Sequence, residues 1–135
     1  MFEKLAINKL RVVRGKKLSS FPDKEHLMQH WLILSLAIAL EVAGTTSMKL
    51  SDGFTKLVPS ILIFVFYAAS FVALTFALKK IDLSIAYAIW AGVGTAMITV
   101  IGILWFREPA TAVKALSILL IIGGVIGLHL GGASK

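Results

Sequence analysis

Residues 31–54 read WLILSLAIALEVAGTTSMKLSDGF, a stretch whose apolar part, Trp31–Met48, carries one carboxylate, Glu41. Glu41 stands ten residues past Trp31, which on a helix is ~15 Å, close to the middle of a ~30 Å hydrocarbon core. An ionised carboxylate at that depth costs ~2.5 kcal/mol or more. The one basic residue in the same stretch, Lys49, is eight residues on, ~12 Å along the axis, and its long stem reaches toward the interface. No Lys or Arg lies mid-span in any other apolar run. Glu41 is therefore a membrane acid without a fixed counter-ion, free to hold a proton or to receive a cation. The plainer alternative is a carboxyl hydrogen-bonded to a hydroxyl merely to hold helices together.

Helical offsets of three and four put Ala37, Ile38, Gly44 and Thr45 beside Glu41. Small residues there leave volume for a bulky ligand or let another helix approach. A later run, IDLSIAYAIWAGVGTAMITVIG, sets Tyr87 and Trp90 three apart, with Gly94 continuing their face. Aromatic faces attract organic cations, so these rings near a carboxylate suggest a cage for a hydrophobic cation. Packing for Trp90 and an interfacial belt for Tyr87 are the rival readings. Gly92 and Gly94 make AGVGTA a place where a helix could kink or pack closely. Tyr67 and Ser70, also three apart, bring two hydroxyls to one face, with Phe64 and Phe71 nearby.

These residues need elements to carry them. The chain has 135 residues, 58% hydrophobic, with a mean hydropathy of +0.88, well above the apolar share of soluble domains. Four apolar runs, Trp31–Met48, Leu57–Leu78, Leu83–Phe106 and Ala112–Leu130, each approach the length that crosses a bilayer. Short polar links, KLSDGFTK, KKID and REPAT, join them. Pro59 sits in the first turn of the second run, where proline costs a helix little. The expected fold is an all-α membrane protein with four transmembrane helices per chain, running up and down over residues 31–130. In the fourth run Gly123, Gly127 and Gly131 recur every four residues, with Gly124 and Gly132 beside them. This repeated GxxxG pattern is a helix-association surface, so Gly123, Gly124 and Gly127 are the expected dimer contact.

Residues 1–30 form a basic N-terminal leader, with seven Lys/Arg against three acids. It reads as a disordered leader or an over-extended start, with Met28 a sensible initiator. A short amphipathic helix on an anionic surface is the alternative, through Phe2, Leu5, Ile7, Leu10 and Val13. Residues 131–135 are a short tail. With both termini on one face, the core alone places three Lys/Arg on that face and four on the other. The leader changes this to ten against four. The positive-inside rule then gives the core no fixed orientation and sets the N-terminus of the full chain inside. The net charge of +7 follows segment ends rather than a nucleic-acid surface. With no cysteine there is no thiolate ligand or nucleophile. The three histidines, His26, His30 and His129, show no metal-ligand spacing. No nucleophile–base pair, metal site or cofactor motif appears, so an enzyme is not expected.

The chain resembles the small multidrug resistance family of proton-coupled cation exporters. The segments that carry the resemblance are LEVAGTTSMKLSDGFTKLVPS (40–60), YAASF (67–71), AYAIWAGVG (86–94) and the glycine-bearing fourth run. It covers about residues 31–130 and not the leader. The resemblance implies an antiparallel dual-topology dimer in the bacterial cell inner membrane, and antiport of protons against lipophilic cations. It implies that Glu41 couples the two, and that Trp90, Tyr87 and Tyr67 line the binding chamber. Ala37, Ile38, Gly44, Thr45 and Ser70 complete the expected substrate set. Exporters of guanidinium resemble EVxWA, whereas drug and quaternary-ammonium exporters resemble EVxGTT. Here the residues are EVAGTT, which favours the drug branch. Ser117 stands where the family's dimerisation motif usually has glycine. The pairing is with a second copy or with a related subunit. The alternatives are an exporter of guanidinium or small polyamines, and a non-transporting membrane subunit.

Overall fold

The computed structural model describes residues 1–18 and 24–132, with side chains for 1–11 and 24–132. Five helices follow in order: α1 (Phe2–Leu18), α2 (Lys24–Ser51), α3 (Leu57–Ala77), α4 (Leu83–Leu104) and α5 (Ala112–Gly132). No strand occurs among the described residues. Helices α2 to α5 are each long and apolar enough to cross a membrane. They coincide with the four apolar runs, apart from their ends. α2 begins at Lys24, seven residues before Trp31. Nothing between Lys24 and Trp31 breaks a helix, and Glu25 in the first turn suits the positive end of the helix dipole. The boundary drawn from sequence at residue 30 thus falls inside α2. Within the leader, residues 2–18 are helical, and every described side chain from Met1 to Arg11 is exposed.

The turns show why the helices stop where they do. After Ser51 the chain passes through Asp52, Gly53 and Phe54, with φ of 50°, 66° and 67°. Three left-handed residues in succession cannot continue a right-handed helix. The reversal closes with Lys56 N–H donating to Ser51 C=O at 3.1 Å. At the same end of the bundle, Arg107 takes φ 56° and ends the turn after α4. α5 starts where Thr111 Oγ1 accepts the N–H of Lys114 at 3.2 Å, a side-chain cap for a donor the helix cannot satisfy itself.

α2 is the centre of the bundle. It packs against α3 and α4, and α5 packs against α4. Leu34, Ile38 and Val42 of α2 meet Ala77, Ile81 and Ala86 in the core. The α2–α3 contact is close because its residues are small. Ala77 is fully buried, and Ser70, 0% exposed, donates its hydroxyl to Ala37 C=O at 2.7 Å. No side chain of α5 is buried. Most of the outer surface is apolar, as lipid requires.

Enlarging Ser70 tests this seam. Ser70→Leu should overpack the α2–α3 contact and cost about 1–3 kcal/mol. Ser70→Ala, which loses one interhelical hydrogen bond, should cost about 0.6 kcal/mol. Thermal midpoints of the detergent-solubilised protein should fall in that order.

Candidate functional site

Glu41 sits on the side of α2 that faces α4. A cavity of about 270 Å³ opens there, lined by Glu41, Thr45, Trp90, Ala91, Gly94, Thr95 and Ile98. Gly94 makes the approach possible, since a Cβ on it would meet Glu41 Oε2 at 2.8 Å. The carboxylate therefore lies against the bare backbone of α4. Gly92 serves a second close approach, because a Cβ there would meet Val125 Cγ2 of α5 at 2.7 Å. α4 is continuous helix across both glycines. What they provide in this structure is proximity.

Glu41 is held by hydroxyls. Thr45, one helical turn on, donates Oγ1–H to Glu41 Oε1 at 3.0 Å. The same threonine oxygen lies 2.6 Å from Tyr67 Oη. A threonine hydroxyl has one hydrogen. With that hydrogen given to Glu41, Tyr67 must be the donor to Thr45. The result is a directed chain from α3 into the carboxylate, Tyr67 to Thr45 to Glu41. No ion pair to Glu41 occurs among the described residues; the ion pair found there joins Lys114 and Glu108.

Aromatic rings flank the cavity on its other side. Trp90 stands 5.6 Å from Tyr87 and 6.1 Å from Phe71, centroid to centroid. Phe71 is in turn 6.1 Å from Tyr67. The four rings connect α3 to α4 beside the carboxylate. Trp90 Nε1 is buried and has no hydrogen-bond partner among the described residues. A buried donor left without an acceptor is costly, which makes this atom a candidate contact for a group entering the cavity.

Of the residues expected from sequence, Glu41, Thr45, Trp90 and Gly94 line the cavity. Tyr67 joins through Thr45, and Tyr87, 56% exposed, through its contact with Trp90. Gly44 is buried against α3, where a Cβ would meet Tyr67 Cδ2 at 2.8 Å. It makes room for the tyrosine rather than lining the cavity. Ala37, Ile38 and Ser70 are not brought to the cavity. Ala37 and Ser70 meet at the α2–α3 seam, and Ile38 belongs to the core. Ala91, Thr95 and Ile98 were not singled out from sequence, although they continue the Trp90 side of α4 at helical spacing. At Gly123, Gly124 and Gly127 a Cβ would meet nothing within 4 Å, so the glycine face of α5 is open in the single chain.

The family model of the Small Multidrug Resistance protein matches residues 29–121, which contain the whole carboxylate cavity. The chain belongs to the small multidrug resistance family. It is similar to the uncharacterized membrane protein YvaE of Bacillus subtilis strain 168, with 55% identity covering 75% of this chain and 85% of that one. It is similar also to the multidrug resistance protein EbrA of Bacillus atrophaeus, at 42% identity over 73% of this chain and 94% of the relative. The multidrug resistance protein EbrB of Bacillus subtilis strain 168 is 44% identical, covering 76% and 87%. Small multidrug resistance proteins are multi-pass membrane proteins of transport, which agrees with four apolar helices around an internal carboxylate.

The Gly44–Tyr67 contact offers a direct test of the hydroxyl chain. Gly44→Val should push the Tyr67 ring away and break its bond to Thr45. The thermal midpoint of the detergent-solubilised protein should fall, in keeping with an overpacking cost of about 1–3 kcal/mol. Tyr67→Phe, which keeps the ring, should lower it less.

Proposed function

We propose that this protein is a proton-coupled antiporter that exports lipophilic and quaternary-ammonium cations. The observation that carries the reading is an acid at membrane depth with no ion-pair partner among the described residues, held by hydroxyls and faced by aromatic rings across an open cavity. Such a carboxyl can be neutralised by a proton or by a cation. It cannot accommodate both, and that exclusion couples their movements. A cation drawn against Trp90 gains from the ring quadrupole, and the Thr45 hydroxyl steadies the carboxylate while it is charged. The step is binding exchange alone: the cation enters as Glu41 releases a proton, and a proton taken up from the other side releases the cation.

The working unit is a dimer. Two copies in opposite orientation place two Glu41 carboxyls in one chamber, where they exchange protons as a pair. Inverted copies around a midplane site are the geometry of alternating access. The glycine face of α5, open in the single chain, is the surface on which a second copy or a related subunit packs. Lipid covers the remaining apolar surface. The segment EVAGTT resembles that of the drug branch, which favours bulky cations over guanidinium. The relatives named for multidrug resistance support the same choice.

Glu41→Gln keeps the shape and the hydrogen-bonding capacity but cannot release a proton. In vesicles with an imposed proton gradient it should reduce tetraphenylphosphonium uptake to the protein-free background. Uptake that persists would remove Glu41 from the coupling role, and transport of guanidinium alone by the wild type would overturn the substrate class. Separately, Gly127→Leu should shift the cross-linked species from dimer to monomer while leaving the helical content unchanged.

A further inference from the structure

A second carboxylate on the same side of α4 has no part in the exchange at Glu41. The turn after Arg107 sends Glu108 N–H back to Gly102 C=O at 3.0 Å. This folds the Glu108 side chain over the last turn of α4. The fold-back depends on Gly102, where a Cβ would meet Glu108 Oε2 at 2.9 Å and Cδ at 3.0 Å. Lys114 Nζ, from the first turn of α5, lies 3.3 Å from Glu108 Oε2. The two side chains are 36% and 44% exposed, so the pair is weak and opens easily.

Glu108 and Lys114 line a cavity of about 280 Å³ together with Thr95, Ile98 and Thr99. Thr95 and Ile98 also line the Glu41 cavity. The two spaces therefore adjoin along α4. Thr95 Oγ1 donates to Ala91 C=O at 2.7 Å and Thr99 Oγ1 to Thr95 C=O at 2.8 Å. With their hydrogens committed to their own helix, both hydroxyls offer only oxygen lone pairs to whatever passes. From Gly94, beside Glu41, to Gly102, beneath Glu108, is eight residues, ~12 Å of helical rise. An aliphatic ammonium already rests at the outer end of this path.

We propose that Glu108 is an outer subsite for organic ammonium and phosphonium cations on their way to or from Glu41, with Lys114 as the resident charge that an arriving cation displaces. The inference rests on the reading of the Glu41 cavity as a cation site. A carboxylate at the mouth raises the local concentration of cations and speeds their capture. Lys114 masks that charge while the mouth is empty.

Stopped-flow binding of tetraphenylphosphonium to the full-length protein in phosphatidylcholine vesicles tests this. E108Q removes the charge. G102A keeps the charge and displaces the carboxylate. Both should slow association and dissociation together, about tenfold, with Kd held within about twofold. K114M should do the opposite and speed association. Wild-type rates in E108Q and G102A would overturn the proposal. So would slowing by K114M in step with E108Q, since the pair would then only fasten α5 to α4. E41Q in the same assay should lose equilibrium binding. Retention of binding there would remove the underlying reading of the Glu41 cavity, whatever the Glu108 variants do.

Discussion

The cost of holding one carboxylate inside an apolar bundle organises this molecule. Glu41 receives a hydroxyl from Thr45, and Thr45 is in turn fed by Tyr67. That chain needs α3 to lie near α2, and Gly44 allows it by leaving space for the tyrosine ring. On the other side α4 comes close to the same carboxylate, and Gly94 allows that. The two glycines are thus set by the same acid from two sides. No ion-pair partner for it occurs among the described residues, which would be a defect in a structural protein and is a working condition in a transporter.

The aromatic wall is the second half of that arrangement. Tyr67, Phe71, Trp90 and Tyr87 follow one another from α3 to α4 at ring separations of 5.6 to 6.1 Å. Their faces offer a diffuse attraction that does not depend on the shape of the cation, whereas the carboxylate supplies a fixed point of charge. On the proposed reading, a site of this make-up would select for charge and apolar surface more than for outline. The buried Trp90 N–H adds one directional element to it.

Much of this was legible in the sequence, for particular reasons. A lone acid in an apolar run announces itself, and so do four runs of spanning length. Glu41, Thr45 and Trp90 fall on one cavity because depth and helical offset depend on one helix at a time. Ala37, Ile38 and Ser70 lie away from it, because offsets give the face of a helix and not the neighbour it meets. α2 has two neighbours, and its Ala37 side is used up against Ser70 of α3. The space beside Gly44 is taken by the Tyr67 ring, which only the fold shows. Glu108 was invisible for another reason: its position comes from a left-handed Arg107 and a fold-back onto Gly102, and neither leaves a pattern in the residues.

The attachment of α5 has a mechanical consequence. α4 forms one wall of the carboxylate cavity and is also the helix against which α5 packs. Gly92 lets the Val125 side chain of α5 come against the backbone of α4. On the proposed reading, a ligand that pushed α4 away from α2 would press on the helix that seats the glycine face of α5, so filling the cavity would be felt at the far edge of the chain.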